Sequence, residues 1–332
     1  MKKIIFVNII VIFCLVIICE ILIRSFNIVG LQGSDKNFFF SENDVVLIKP
    51  NSIFKVAGKK VKTDNNGFRI PTKNYIFDEN KESILVLGDS VSFGFGVKEE
   101  ETFIGALRDK INFNLLNSSV IGHNLESYIY LLNKYQKETN KKIVNTVIFI
   151  CLNDIHLSQG VILNNIQKKT SENLESSKFI RLFKNKFFIN INLFLREKSA
   201  LFVFLKSIGT NSVKRHYEYM YTSYNNQQLI DEYYKNIIQI KEYSEKKGLK
   251  VSFILLPYAY QINNNCKKQL MMPQNKIKKI FKKANLELND LSDNFCDDEN
   301  KKKFFLGFDP VHLSKAGHKF VSELLIGRNI IN

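Results

Sequence analysis

Residues 83–90 read Ser-Ile-Leu-Val-Leu-Gly-Asp-Ser, a continuous apolar run that ends in a Gly-Asp-Ser triplet. A short apolar run bounded by a glycine is typical of a strand that is buried on both faces of a parallel sheet. Similar runs recur along the chain at Phe113–Leu116, Thr146–Cys151, Lys250–Leu256 and, more weakly, Leu286–Leu291. Segments with a helical spacing of apolar residues separate these runs. The alternation predicts an α/β domain whose sheet is mostly parallel and is covered by helices on both faces.

The N-terminal run Ile4–Ile23 is almost wholly apolar and follows two lysines. A helix of about 20 apolar residues spans the hydrocarbon core of a bilayer, so residues 1–25 are predicted to be a transmembrane anchor that stands apart from the globular domain. No small-residue cleavage site follows the run, which favours an uncleaved anchor over a signal peptide cut near Ser25. The leading lysines favour a cytoplasmic N-terminus and an extracytoplasmic body.

The remaining chain divides into a lead-in and one large domain. Residues 26–80 are polar and irregular, and the turn signal at Asp64–Gly67 predicts β-hairpins packed against the main domain. Residues 81–330 form the α/β domain. A segment at about 160–225, rich in Lys, Asn and Phe, is predicted to be a helical insertion, since so long a loop without structure would be unusual.

Composition excludes several classes of protein. The chain has 332 residues, of which 45% are hydrophobic, so wholesale disorder is excluded. The net charge of +16 invites a nucleic-acid hypothesis, but the lysines are scattered and no basic-aromatic motif of an RNA-binding sheet is present. We therefore expect no nucleic-acid partner. The five cysteines contain no C-x-x-C pair; in an exported body Cys266 and Cys296 are the candidates for a disulfide, and Cys151 is expected to stay a buried thiol.

Polar residues follow the predicted strands at the places where a doubly wound sheet forms its sites, beyond the carboxyl ends of the strands. Taken singly, each is explained by a turn or a helix cap, but their joint occurrence in this order favours a catalytic site. The four groups are Gly88-Asp89-Ser90, the stretch from Asn117 to Asn124 with Gly122 inside it, Cys151 to Asp154, and Asp309-Pro310-Val311-His312.

These groups resemble the four sequence blocks of the SGNH hydrolases, the superfamily that includes the GDSL esterases. Ser90 matches the nucleophile of the first block, Gly122 the second, Asn153 the third, and Asp309-x-x-His312 the fourth. The resemblance covers roughly residues 40–325. It implies a three-layer α/β/α fold with a five-stranded, mostly parallel, flavodoxin-like sheet, in addition to the N-terminal transmembrane helix.

Two further features bear on this resemblance. The segment Asp64–Arg69 is similar to one that often precedes the catalytic core in membrane-anchored bacterial members. The third block usually reads Gly-x-Asn-Asp, whereas this chain has Cys151 at the Gly position. A change at that strand end bears on the oxyanion geometry.

The chemistry of these side chains fits acyl transfer. A serine is a weak nucleophile that needs an adjacent base, which His312 would supply, and Asp309 would fix the tautomer of that histidine. The backbone N–H groups of Ser90 and Gly122 and the side-chain amide of Asn153 would form an oxyanion hole. No metal and no cofactor is expected.

His123 and His156 adjoin the second and third blocks and are candidates for binding substrate.

Three function classes remain. The first is an esterase that removes acyl groups from small molecules or, more specifically, from an envelope or extracellular glycan. The second is an O-acyltransferase that uses the same Ser90 and His312 with a sugar hydroxyl in place of water. The third is a non-catalytic glycan-binding protein, against which the intact set of catalytic residues argues.

Overall fold

The computed structural model describes residues 2–73, 75–139, 141–156 and 186–331. Its strands are β1 (Phe39–Glu42), β2 (Val45–Ile48), β3 (Ile53–Val56), β4 (Lys59–Thr63), β5 (Arg69–Ile70), β6 (Ser83–Leu87), β7 (Asn114–Asn117), β8 (Ile143–Ile150), β9 (Lys250–Leu255) and β10 (Asn289–Asp290). Its α-helices are α1 (Lys2–Ser25), α2 (Ser90–Phe93), α3 (Phe103–Leu107), α4 (Leu125–Glu138), α5 (Lys186–Lys198), α6 (Ala200–Thr210), α7 (Ser212–Ser223), α8 (Gln227–Lys247), α9 (Ala259–Asn263), α10 (Met272–Lys283), α11 (Ser292–Asp297) and α12 (Lys315–Gly327).

The central part of the sheet is parallel. Strands β7, β6, β8, β9 and β10 lie side by side in that order, and every neighbouring pair among them is parallel. Counted along the chain this is the order 2-1-3-4-5, the flavodoxin-like arrangement. The predicted five-stranded parallel sheet is therefore confirmed, although β10 is only two residues long.

Helices cover both faces of the sheet. Helix α3 packs against α12, and α4 packs against α8. Every residue of β6 is buried, as are the last six residues of β8. A strand covered on both faces has no side that can be polar, which explains why these strands read as continuous apolar runs rather than alternating ones.

The lead-in does more than pack against the main domain. Strands β3, β4 and β5 form an antiparallel meander, and β5 pairs with the outer edge of β7 through Arg69 and Asn117. The sheet is thereby extended to eight strands. The lead-in was predicted as β-hairpins packed against the main domain, and the strand pairing to β7 was not predicted. The free edge of β7 offers backbone groups that another strand can satisfy. Among the strands of the described residues, β1 and β2 pair with each other apart from this sheet.

The insertion is helical where the structure describes it. Helices α5, α6 and α7 occupy residues 186–223 and precede α8. The earlier part of the predicted insertion, residues 160–185, lies outside the described residues.

Helix α1 is long and apolar enough to cross a membrane by length and composition, and its apolar side chains are exposed over most of its length. Its last turns nevertheless contact the globular domain. Glu20 accepts hydrogen bonds from the backbone N–H groups of Ala200 (2.9 Å) and Leu201 (2.8 Å), which cap the start of α6. Ile23 is buried in a small cluster with Ala200 and Val203. The expectation of a helix wholly apart from the domain therefore fails at this end.

A disulfide joins Cys266, in the segment after α9, to Cys296 in α11, with their Cα atoms 5.9 Å apart. Cys151 is a buried free thiol. The pairing links two segments on the β9–β10 side of the domain.

Candidate active site

Ser90 is the first residue of α2, immediately beyond the carboxyl end of β6. The chain reverses direction here so tightly that a Cβ at Gly88 would lie 2.2 Å from Oγ of Ser92, and only glycine fits. Asp89 caps the short helix, because its Oδ1 accepts a hydrogen bond from the backbone N–H of Val91 (2.8 Å). This strand-turn-helix places the Ser90 hydroxyl beyond the carboxyl end of β6.

The loop before α12 is folded by one carboxylate. Oδ1 of Asp309 accepts hydrogen bonds from the backbone N–H groups of Val311 (2.9 Å) and His312 (2.7 Å). Its second oxygen, Oδ2, lies 2.8 Å from Nδ1 of His312. The Asp-x-x-His spacing therefore lets the same side chain shape the loop and orient the imidazole. The carbonyl of Pro310 accepts from the N–H of Ala259 (2.9 Å), which fastens the loop beyond the end of β9.

His312 reaches from this loop to Ser90. Its Nε2 lies 2.9 Å from Oγ of Ser90. Because the carboxylate of Asp309 can only accept, Nδ1 carries the proton and Nε2 of the neutral ring accepts from the serine hydroxyl. The imidazole also stacks on Phe95, with ring centroids 4.3 Å apart. Ser90, His312 and Asp309 thus form one hydrogen-bonded chain, although Ser90 lies 222 residues before His312 in the sequence.

The charges of this chain favour a protonatable histidine. Burial lowers the pKa of His312, but the charge and hydrogen bond of Asp309 outweigh burial, so the pKa is raised above its ordinary 6.5. Burial raises the pKa of Asp309, and the adjacent His312 more than reverses this, so that pKa is lowered. Such a pair can hold a proton taken from Ser90 while Asp309 stays ionised.

Gly122 lies in the turn between β7 and α4 with φ +84°, a left-handed conformation that favours glycine. The turn is joined to the nucleophile segment, since the N–H of Val120 donates to the carbonyl of Gly88 (3.2 Å). Within the described part of the chain, the N–H groups of Ser90 and Gly122 donate no hydrogen bond. Both donors are therefore available to an oxygen of a ligand.

Asn153 is held in a single orientation by two buried partners. Its Nδ2 donates to Oδ2 of Asp89 (2.8 Å), and its Oδ1 accepts from the hydroxyl of Tyr258 (2.8 Å). The carboxylate can only accept, so the amide nitrogen must face Asp89, and its second N–H remains for a ligand. Burial raises the pKa of Asp89, while this hydrogen bond from Asn153 opposes that shift.

Cys151 stands where related sequences have glycine, yet its backbone does not need one. It has φ −120° and ψ 169°, ordinary extended values. Its N–H donates to Oδ2 of Asp154 (2.7 Å), whose other oxygen accepts from the hydroxyl of Tyr128 (2.9 Å). Burial raises the pKa of the Cys151 thiol, so it stays protonated. The Cys therefore occupies the end of β8 without backbone strain.

The two histidines predicted as substrate-binding candidates lie in different surroundings. His123 is buried, its Nε2 contacts the carbonyl of Val46 at 2.6 Å, and burial lowers its pKa to about 4. These contacts connect His123 to β2 rather than to the cleft. His156 is half-buried, stacks on Tyr219 with centroids 5.0 Å apart, and lies 3.0 Å from Oγ of Ser223.

Three contacts to the site were not predicted. Tyr258 lies just beyond the end of β9, after Pro257, so its position near a strand end was an available signal for its contact with Asn153. Phe95, which stacks on His312, had no motif. His216 stacks on the ring of Tyr258 with centroids 5.6 Å apart, and it belongs to the insertion, whose packing no sequence pattern specified.

Arg69, at the end of the Asp64–Arg69 segment, is completely buried against Phe93 of α2. Its guanidinium donates to the carbonyls of Phe93 and Gly94, and to that of Val97 over 2.8 Å. Its Nε lies 3.3 Å from Oε2 of the buried Glu99. Arg69 thus holds the loop between α2 and α3. This loop carries Phe95, whose ring stacks on the imidazole of His312.

We expect Arg69→Met to lower the free energy of unfolding by about 3–5 kcal/mol, because it removes one partner of a buried ion pair and leaves buried carbonyls unsatisfied. Denaturant unfolding of the full chain in detergent measures this. Lys60→Met, on the exposed part of β4, is the control and should change stability by no more than about 0.5 kcal/mol. Equal effects of the two substitutions would show that Arg69 does not have this structural role.

Comparison with known proteins gives matches among solved structures. No protein-family model matches the chain, and no curated protein does. The chain is similar to a lipase/acylhydrolase from Enterococcus faecalis (14% identity, covering 74% of this chain and 94% of that chain, TM-score 0.41). It is also similar to a member of the lipolytic G-D-S-L family from Veillonella parvula DSM 2008 (13%, 74% and 97%, 0.40) and to the acetyl xylan esterase AlAXEase (16%, 74% and 98%, 0.42). The structures that this chain is similar to therefore include the GDSL-type enzymes that its four sequence blocks resemble.

Proposed function

We propose that this protein is a serine esterase that hydrolyses acyl esters through Ser90, His312 and Asp309. The observation that carries the proposal is the contact of 2.9 Å between Oγ of Ser90 and Nε2 of His312, with Nδ1 of the same ring held by Asp309. A nucleophile, a base within hydrogen-bonding distance and a group that orients the base are the requirements for covalent acyl transfer.

The reaction would proceed in two steps. Oγ of Ser90 attacks the acyl carbon while Nε2 of His312 takes the hydroxyl proton, and the resulting imidazolium is stabilised by Asp309. The tetrahedral intermediate collapses, His312 returns the proton to the departing alkoxide, and the acyl group stays on Ser90 as an ester. In the second step His312 takes a proton from water, the hydroxide attacks the acyl carbon, and Ser90 leaves with the proton from His312.

The oxyanion of each tetrahedral intermediate would be bound by the N–H groups of Ser90 and Gly122 and by the side-chain amide of Asn153. All three belong to segments that meet where the parallel strands β6, β7 and β8 end. Asn153 is already oriented by Asp89 and Tyr258, so little reorganisation is needed as charge develops. Loss of one such donor costs about 10²–10³ in kcat.

The proposed substrates are O-acyl groups on an envelope or extracellular glycan, with the body outside the membrane. The disulfide between Cys266 and Cys296 supports an oxidising compartment. Helix α1 would be the anchor, and α6, which packs against it, exposes Leu205 and Ile208 in the same region. These features support a domain held close to the membrane surface.

A serine-directed organophosphorus probe should label the full chain once, on Ser90. Ser90→Ala should abolish both labelling and ester turnover, whereas Ser92→Ala, which changes the buried neighbouring serine, should keep the label. Free acid and acyl groups transferred to an added sugar are followed together, so that hydrolysis and acyl transfer are distinguished. Undiminished turnover in Ser90→Ala would refute the assignment of the nucleophile.

The pH profile should report the raised pKa of His312. Because only the neutral ring accepts the serine proton, kcat/KM should rise with pH through a midpoint above 6.5. Asp309→Asn removes the charge that raises this pKa, so the midpoint should move to lower pH, and kcat should fall on the order of 10²–10⁴-fold. Asp293→Asn, an exposed change of equal charge, should leave the profile in place. A midpoint that Asp309→Asn leaves where it was would contradict the pairing.

A further inference from the structure

A pocket of about 460 Å³ lies beside the catalytic loop, between the helical insertion and the lead-in. We call it the basic pocket, because its walls carry Arg196 from α5, Lys206 from α6, and Arg215 and His216 from α7. Pro310, the residue after Asp309, forms part of the same wall. The volume is in the range of pockets that hold small ligands.

The cations of the basic pocket are not neutralised by the protein. None of the described residues that line it is acidic, and within the described part of the chain Arg196, Lys206 and Arg215 form no ion pair. Arg196 uses Nε to bind Oε1 of Gln32 (3.0 Å), and Lys206 binds Oδ1 of Asn192 (2.7 Å); both partners are neutral. Burial, and then the charges of Arg196 and Arg215, lower the pKa of Lys206. Three like charges at one pocket repel one another unless an anion joins them.

The basic pocket adjoins the candidate active site through His216 and Pro310. His216 faces both, since it lines the pocket and stacks on Tyr258, whose hydroxyl binds Asn153. Burial lowers the pKa of His216, and the nearby charges of Asp309 and His312 act on that pKa in opposite directions. At the other edge, Oγ of Ser212 donates to the carbonyl of Phe308 (3.1 Å), which fastens α7 to the catalytic loop. A ligand in the pocket would therefore lie next to an acyl group at Ser90.

We propose that the basic pocket binds a phosphate group carried by the acylated substrate. The position of this group relative to the reacting ester depends on the proposed esterase function, but the phosphate site itself does not. Two guanidinium groups offer forked donors that match phosphate oxygens, and Lys206 adds a compact positive charge. The hydroxyls of Ser207, Thr210 and Ser212 line the same pocket as further donors. The substrate would thus be an ester on a phosphorylated glycan or on a phospholipid, rather than on a neutral sugar.

Binding is tested first, without any turnover. Inorganic phosphate is titrated calorimetrically into the full chain with Ser90→Ala, in a neutral detergent, with and without Arg215→Gln. We expect phosphate to bind, more weakly as salt is added, and Arg215→Gln to weaken it about 10-fold or more. Lys214→Gln is the matched control, because it removes the same charge from the adjacent exposed residue, which pairs with Glu218. Absence of binding at millimolar phosphate, or equal weakening by the two variants, would overturn the proposal.

Turnover then tests the coupling to the active site. The full chain is assayed with O-acetylglucose and with the same O-acetylglucose bearing a phosphate, and kcat/KM for the second is divided by that for the first. The ratio should exceed one for the wild type and fall about 10–100-fold in Arg215→Gln and in Lys206→Met, but not in Lys214→Gln. If phosphate binds as expected and neither ester is hydrolysed, the esterase proposal fails while the phosphate site stands. If both esters are hydrolysed with a ratio that Arg215→Gln leaves unchanged, the phosphate subsite is refuted and the esterase stands.

A third arm identifies the source of the phosphate. Phosphatidylglycerol vesicles are offered in place of the sugar phosphate, with phosphatidylcholine vesicles as the comparison. Turnover of the sugar phosphate that Arg215→Gln lowers supports a phosphorylated glycan. If phosphatidylglycerol is turned over faster than phosphatidylcholine, and Arg215→Gln lowers that turnover, the result supports a lipid substrate. If Arg215→Gln lowers the turnover of neither substrate, the proposed phosphate site is contradicted.

Discussion

The parallel pairing of β6 with β7 on one side and β8 on the other fixes where every polar group of the site can be. The registers Val86 with Asn117 and Leu87 with Ile148 bring three carboxyl ends to the same level of the sheet. The order of strands reverses around β6, which opens a crevice beyond those ends. Ser90, Gly122 and Asn153 lie in the segments that follow these three strands, so strand pairing brings those segments together, and contacts such as that of Asn153 with Asp89 then hold them. The C-terminal loop is fastened to Ala259 at the start of α9 and to Ser212 of α7, and it brings His312 onto Ser90.

Buried carboxylates organise this crevice, each through a different set of donors. Asp309 is kept ionised by backbone N–H groups and by His312. Its Oδ1 accepts from the backbone of the loop, and its Oδ2 contacts the imidazole ring. Asp89 orients Asn153, and Asp154 holds the turn after β8. Without these donors a carboxylate at such depth would cost several kcal/mol. The polar residues next to Ser90 therefore stabilise the structure of the candidate site, in addition to any part in the proposed chemistry.

Much of this could be predicted from sequence, and the successes and failures have physical causes. The strand Ser83–Leu87 was predicted with its observed bounds, because burial on both faces leaves a pattern that nothing else produces. The sequence placed Asp309 and His312 together because their spacing reflects local hydrogen bonds between them. The joining of the lead-in to the edge of β7 was not found, since edge pairing is made by backbone groups and leaves no side-chain pattern. Arg69 was noticed only as part of a segment; that it lies buried under α2 follows from tertiary packing.

The helices of the insertion line the basic pocket and contact the candidate active site. Glu20 of α1 caps α6, α6 and α7 line the basic pocket, and α7 also reaches Tyr258 and His156. Helix α1, the basic pocket and the loop from Asp309 to His312 are thus consecutive along one path of contacts. Periodicity could predict helices here, but the choice of which cations face one pocket depends on how those helices pack, which the sequence pattern alone does not determine.

The central claim is that Ser90 carries the acyl group between two steps, and a rapid acid quench tests it most directly. The full chain is mixed with excess p-nitrophenyl acetate, the release of p-nitrophenol is followed through the first turnover, and the quenched protein is digested for mass spectrometry. The account predicts a burst of one p-nitrophenol per chain and one acetyl group on the peptide that contains Ser90, neither of which forms in Ser90→Ala. An acetyl group on another side chain, or a burst that persists in Ser90→Ala, would contradict it.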